Sequence, residues 1–360
     1  MHIIKRSLIT KLLLSVGLIA PAAGGALARE ASPKQSENQN SDNQKSAAEA
    51  SLANCYTEQV KISGSQVSVE QIRAHCRARL QIESKIGNGE LSPLEKRIAR
   101  EKATRDNPNV ITPHKRNYLL PVSFVDEPNN APFSEELGTA GLKKFEAKFQ
   151  LSFKAAIADS LLKKDDLLFF GFTLQSYWQM YNQDVSSPFR ETNYQPEIFY
   201  GVFNDFKVGQ WTNRVNVIGI EHQSNGRTQP SSRSWNRIYA QFVWENDNWV
   251  VMFKPWYRLP EKDKTTPTQA TGDDNPDIEK FMGNFEFSSV YKWEQQTFGM
   301  MFRNNLRNDN RGALQLDWTF PMGRRFKGYA QYFNGYGESL IDYNQSIERI
   351  GIGVLLTDVF

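Results

Sequence analysis

A histidine and a serine stand two residues apart in Glu221-His222-Gln223-Ser224-Asn225-Gly226, and an asparagine follows in Ser232-Arg233-Ser234-Trp235-Asn236-Arg237. In an extended strand residues i and i+2 share a face, so the His222 imidazole and the Ser224 hydroxyl lie side by side. A hairpin turning through 225–232 brings Asn236 alongside them. The three then form a candidate Ser-His-Asn nucleophilic site: His222 takes the Ser224 proton and Asn236 orients the ring, as the amide does in Cys-His-Asn enzymes.

Such a site needs strands, and from Asn117 onward the chain offers twelve strand-length segments: 117–125, 144–158, 166–182, 195–205, 211–224, 233–246, 248–259, 281–293, 296–306, 312–322, 326–337 and 345–358. Several alternate with period two, as in Phe149, Leu151, Phe153 and Ile157 against Lys148, Gln150, Ser152 and Lys154. Short links such as 245–248 and 322–325 alternate with longer ones such as 126–143 and 260–280. Short turns on one side and long loops on the other mark a bacterial membrane barrel. The fold class expected is therefore all-β: a twelve-stranded antiparallel transmembrane β-barrel over 117–360 with a small N-terminal helical extension. An even strand count leaves both barrel ends in the periplasm. The closing Val359-Phe360 and a load of 23 Phe, 13 Tyr and 8 Trp agree with this. Tyr177-Trp178 and Trp256-Tyr257 are expected in the interfacial girdles. A soluble sandwich or lipocalin-like barrel has less use for so many outward aromatics.

Parity also says which way the site points. His222 and Ser224 share their face with Ile218 and Ile220, with Glu221 and Gln223 opposite; Asn236 shares its face with Ile238, Ala240, Phe242 and Trp244, with Arg237, Tyr239 and Gln241 opposite. In a small barrel the apolar face meets lipid and the polar face fills the lumen, so the three polar residues point outward. Counting strands from a periplasmic start puts the 225–232 loop on the external side, at the outer headgroups. A nucleophile there reaches a phospholipid ester. The plainer alternative is a set of interfacial polar residues on a non-catalytic pore or structural barrel; a lumen filled by Arg237, Tyr239 and Gln241 weighs against free conduction.

Upstream, Lys5, Arg6 and Lys11, the apolar stretch 12–19 and Ala26-Leu27-Ala28 read as a signal segment over 1–28. Residues 29–50 are polar enough for a disordered linker. Residues 51–116 read as a periplasmic helical extension, with helices around 69–80 and 94–101 parted by Gly-Asn-Gly and Pro93 in a first turn. Cys55 and Cys76, the only cysteines, are expected to pair in an oxidising compartment. No later apolar run reaches the roughly 20 residues of a spanning helix. A net charge of +3, with basic residues dispersed, leaves no footprint for nucleic acid.

Several stretches together resemble the outer membrane phospholipase A family, calcium-dependent barrel esterases of Gram-negative bacteria. They are 186–194 (Ser-Ser-Pro-Phe-Arg-Glu-Thr-Asn-Tyr), 222–227, 232–237, Lys254-Pro255-Trp256-Tyr257, Asp273-Asp274-Asn275-Pro276-Asp277 and 335–344. The likeness runs from about Asn117 to Phe360. It implies hydrolysis of phospholipid and lysophospholipid esters in the outer membrane, with Ser224 as nucleophile, His222 as general base and Asn236 as its orienting residue. It also implies Ca2+ held by the Ser232 hydroxyl and Arg227 carbonyl of one subunit and the Ser186 carbonyl of another, so that activity needs a homodimer. Calcium and the Gly226 amide would share the oxyanion. The 227–232 loop carries no carboxylate. Asp273, Asp274 and Asp277 offer a substitute calcium site or, as the commoner reading, a solvated acidic loop. The segment before Asn117 lies outside the likeness, and a plug or a docking site for a periplasmic partner are equal readings of it.

Overall fold

The computed structural model describes residues 49–61, 68–88, 91–104, 111–164, 166–266, 269–323 and 326–358. The signal segment 1–28, the linker up to residue 48, and Val359 and Phe360 lie outside the described residues. The chain divides into two units after Asn54. Of the first, residues 49–54 are helical. The second, Cys55–Phe360, opens with helical residues 55–61, followed by helices α1 (Val69–Gly87) and α2 (Pro93–Thr104). A disulfide joins Cys55 to Cys76.

A two-residue strand β1 (Thr112–Pro113) leads into β2 (Asn117–Val125), β3 (Phe145–Asp159), β4 (Leu167–Trp178), β5 (Phe189–Val208), β6 (Trp211–Ser224) and β7 (Ser234–Asn246). Then follow β8 (Trp249–Arg258), β9 (Phe285–Trp293), β10 (Gln296–Asn304), β11 (Gly312–Met322), β12 (Phe326–Tyr336) and β13 (Ser346–Thr357). Each of β2 to β13 pairs antiparallel with its sequence neighbours, and β13 pairs back onto β2. This is a closed twelve-stranded barrel, with β1 an extra pairing on β3. Three of the turns on one side have only two residues, as at Gly209 (φ 57°) and Asp247 (φ 50°), where positive φ matches the hairpin twist.

The alternation is inverted relative to a soluble protein. On β6, Ile220 is 49% exposed while Glu221 beside it is 1% exposed. The interior is stitched by charge. Lys148, Glu338, Arg349, Glu146, Arg190 and Asp342 form a chain of contacts at 2.9, 2.7, 2.7, 3.1 and 2.6 Å, three cations alternating with three carboxylates. Lys148, Arg190 and Arg349 also surround the Tyr177 ring. At the long-loop end the 337–345 connection folds inward, with the Leu340 and Ile341 amides donating to Asn193 and Glu191.

At the other end sits α2. Its start is a capping box: the Ser92 amide donates to Glu95 (2.8 Å) and the Glu95 amide to the Ser92 hydroxyl (3.1 Å), with Pro93 at the first helical position. The same Ser92 hydroxyl donates to Glu245 on β7, Glu95 pairs with Arg214 on β6, and Glu101 pairs with Lys154 on β3. Leu94 packs on Val243 and Val250. Arg97 and Glu101 line the internal cavity of about 430 Å³, so α2 is a plug of the barrel mouth.

Three expectations need correction. β5 starts at Phe189, not 195, because its inward residues Arg190, Glu191 and Asn193 form a polar run that hides a strand. The segment 281–293 begins instead with a short helix, Glu279–Met282. The girdle pairs split by parity: Tyr257 faces out and Trp178 stacks on exposed Phe189, but Tyr177 and Trp256 are buried inside. Replacing Arg349 by Met leaves Glu146 and Glu338 short of a cation, and unfolding in detergent and urea is expected to show a loss of about 3–5 kcal/mol; an unchanged midpoint would contradict the charge chain as a structural element.

Candidate active site

The register of β6 against β7 sets His222 directly across from Asn236 and Ser224 across from Ser234, while β5 sets Tyr194 across from Ser224. His222 Nδ1 lies 2.8 Å from Asn236 Oδ1. An amide oxygen only accepts, so Nδ1 carries the proton and Nε2 keeps the lone pair. Ser224 shares the strand face with His222, and both are half-buried. Among the described residues the Ser224 hydroxyl makes no hydrogen bond to the imidazole; nucleophile–base contacts commonly tighten only around a bound substrate. The flanking Ile218, Ile220 and Ile238 are exposed and Arg237 and Tyr239 are buried, so all three candidates lie on the outward wall.

The loop after Ser224 is organised by the buried Asn225 side chain. Its Oδ1 accepts the amides of Arg233 (2.9 Å) and Arg227 (3.3 Å), and its Nδ2 donates to the Ser231 carbonyl (2.9 Å). Arg227 is anchored through a guanidinium bond to the Arg190 carbonyl (2.6 Å). Gly226 takes φ 63°, a conformation that costs glycine little, and a Cβ there would meet the Tyr194 ring at 3.4 Å. Gly226 itself is exposed.

Arg227 and Ser232 stand on this one loop and offer a carbonyl and a hydroxyl, the hard oxygen donors that suit calcium. Ser232 Oγ donates to Asp274 Oδ2 (2.7 Å), which puts a carboxylate against the same donor set. Ser186 is exposed at φ 60° on the separate 179–188 connection, and no hydrogen bond among the described residues joins it to the 225–233 loop.

The three aspartates do not converge. Asp274 also accepts from Gln229 and pairs with Lys264, Asp273 pairs with Arg258 (2.6 Å), and Asp277 accepts the Tyr343 hydroxyl (2.7 Å). Among the described residues no group of three or more His, Cys, Asp or Glu is placed to hold a metal. Nor are two of the three carboxylates solvated: the Asp273 and Asp274 side chains are 9% and 7% exposed. Burial by itself would raise the Asp274 carboxyl, but hydrogen bonds from Lys264, Ser232 and Gln229 outweigh it and hold the group below its usual value. Two participants escaped the sequence reading. Lys264 and Glu261, whose carboxylate accepts the Asn236 side-chain N–H at 3.2 Å, both sit in the 259–284 connection, where no periodicity marks them.

A closed twelve-stranded barrel with a polar-filled lumen defines the class as a membrane barrel, and the His–Asn pair beside a serine on its outer wall is its candidate site. The phospholipase A1 family model matches residues 94–356. Phospholipase A1 of Klebsiella pneumoniae is 37% identical over 263 residues, 73% of this chain and 88% of that protein. Phospholipase A1 of Escherichia coli K12 is 38% identical over 263 residues, 73% of this chain and 87% of its own. Among solved structures, outer membrane phospholipase A from Escherichia coli matches with a TM-score of 0.65 at 37% identity, over 71% of this chain and 95% of that one. The Salmonella typhi outer membrane phospholipase dimer with bound calcium matches with a TM-score of 0.65 at 37% identity, over 71% and 94%. The chain belongs to the phospholipase A1 family, a family of carboxylic ester hydrolases. Barrel and relatives together point to the outer membrane. The family match begins at residue 94 and so takes in α2, which the likeness read from the sequence left out.

Because the Asn225 side chain ties Arg227, Ser231 and Arg233 together, Asn225→Ala is expected to speed hydrogen exchange at the Arg227 and Arg233 amides by about tenfold or more, the loss of roughly 1–2 kcal/mol of local order. Exchange unchanged at both would show that another contact holds the loop.

Proposed function

We propose that this protein is a calcium-dependent outer-membrane phospholipase. It cleaves acyl esters of phospholipids and lysophospholipids through Ser224, His222 and Asn236, as a homodimer, with residues 1–28 removed on export and 51–116 facing the periplasm. The observation that carries the reading is the 2.8 Å His222–Asn236 bond on the outward wall, two residues from Ser224 on the same strand face. The relative crystallised as a dimer with bound calcium supports the assembly and the metal.

In this reading Ser224 Oγ attacks the acyl carbonyl carbon while His222 Nε2 removes its proton. Asn236 Oδ1 accepts the Nδ1 hydrogen, keeping the tautomer that leaves Nε2 basic and favouring the imidazolium without changing its own protonation. The same Nε2 proton then passes to the glycerol oxygen, and lysophospholipid departs. Water, deprotonated by His222, attacks the acyl-serine and releases the fatty acid. The Gly226 N–H donates to the carbonyl oxygen as it gains charge. Arg227 and Ser232 of one subunit, with the partner subunit's Ser186, would hold calcium, which would supply positive charge to stabilise the developing oxyanion. The apolar side chains flanking the site, Ile198, Ile220 and Ile238, are exposed and suit acyl chains or a second copy's wall.

Purified protein in detergent with a phospholipid tests the assignment. Ser224→Ala is expected to lower hydrolysis by about a thousandfold or more, and wild type stripped of calcium by a chelator to fall comparably. Equal hydrolysis by Ser224→Ala would remove the serine from the mechanism. Asn236→Ala is expected to retain activity reduced by about tenfold to a hundredfold, since a residue that orients the base contributes less than base or nucleophile; complete loss would contradict the orienting role.

A further inference from the structure

We infer that Glu261 is a positioning residue for this site: its carboxylate accepts the Asn236 side-chain N–H and thereby determines which end of the amide meets His222. The inference rests on the Ser-His-Asn reading above and goes one residue beyond it.

The two ends of an asparagine amide have nearly the same shape and opposite hydrogen-bonding character. His222 can act as a base toward Ser224 only if Nδ1 holds its proton, and that requires the oxygen end of Asn236 to face it. If the amide turned over, its NH2 group would confront Nδ1, the ring proton would move to Nε2, and no lone pair would face the serine. Nothing in the His222–Asn236 contact alone forbids the turned state, because both rings and amides adapt.

Glu261 breaks that symmetry. Its Oε1 lies 3.2 Å from Asn236 Nδ2, and an ionised carboxylate accepts only, so it can be satisfied by the NH2 end alone. The backbone keeps it there: the Leu259 amide donates to the Asn236 carbonyl at 2.8 Å, pinning the chain as it leaves β8 two residues before Glu261. Arg258 and Asp273 pair with each other alongside, and Lys264 pairs with Asp274. Burial, with Asp273 and Asp274 near, lifts the Glu261 carboxyl above its usual value against the Asn236 hydrogen bond and Arg258. A carboxylate is thus kept beside two others, at an electrostatic cost, where it touches the orienting amide.

The test compares wild type with Glu261→Ala, Glu261→Gln, Asn236→Ala, the double variant Asn236→Ala/Glu261→Ala and Ser224→Ala. Each is assayed with phospholipid and calcium in detergent after circular dichroism has verified the barrel. Glu261→Ala is expected to lower kcat by about three- to tenfold with KM and the calcium requirement unchanged, as for loss of one hydrogen bond. Glu261→Gln, whose amide oxygen accepts the same N–H, is expected to recover most of kcat. The double variant is expected to be no slower than Asn236→Ala, because Glu261 acts only through that amide. Wild-type kcat in Glu261→Ala, a loss confined to KM, no recovery in Glu261→Gln, or the full loss repeated on the Asn236→Ala background would each overturn the inference. Activity retained in Ser224→Ala would instead overturn the reading on which it rests, so the two failures are distinguishable.

Discussion

In hydrocarbon an unpaired backbone N–H or C=O costs several kcal/mol, and the sheet that leaves none unpaired is one closed on itself. The pairing of β13 onto β2 closes this one, and most of the molecule follows from that closure. A closed sheet has a strict inside and outside, so a period of two along each strand sorts side chains by parity, broken at bulges such as the one that buries both Arg190 and Glu191. Apolar residues go to the lipid and the charges go inward, around a cavity of about 430 Å³. Many of them pair with one another there, as in the run from Lys148 to Asp342. The helix α2 and the 337–345 connection then close the two ends over what remains of the lumen.

The same parity makes the candidate site an exception to its own surface. His222, Ser224 and Asn236 occupy outward positions that the rule gives to isoleucine and phenylalanine, and polar groups there must bond one another or meet the headgroup layer. Register solves part of this by setting His222 across from Asn236. The loops solve the rest. Asn225 ties the 225–233 loop, Asp274 ties Ser232 to the long connection, and Glu261 on that connection reaches Asn236. A rigid wall thus presents the site, and neighbouring loops complete its hydrogen bonding.

What could be read from the sequence is what parity and turn spacing encode. The twelve strands, the outward set of His222, Ser224 and Asn236 with Ile218, Ile220 and Ile238, and the helical texture before the barrel all rest on local periodicity. The misreadings share a different cause. The start of β5 hid because Arg190, Glu191 and Asn193 serve the interior charge chain, and Tyr177 and Trp256 looked like girdle residues although parity turns one of each pair inward. Asp273 and Asp274 resembled a solvated acidic loop because their partners, Arg258, Lys264 and Ser232, are set by how loops meet in space. Glu261 had no local signal at all; its meaning comes from an asparagine 25 residues earlier.

The central claim is that a serine on the outer wall is made nucleophilic by the histidine beside it, and covalent trapping tests that most directly. Protein in detergent with calcium would be treated with a long-chain alkyl sulfonyl fluoride and the adduct located by mass spectrometry. The account predicts one sulfonylated residue, Ser224, with labelling that disappears in His222→Ala. An adduct on another serine, or labelling of Ser224 that persists undiminished without His222, would contradict it.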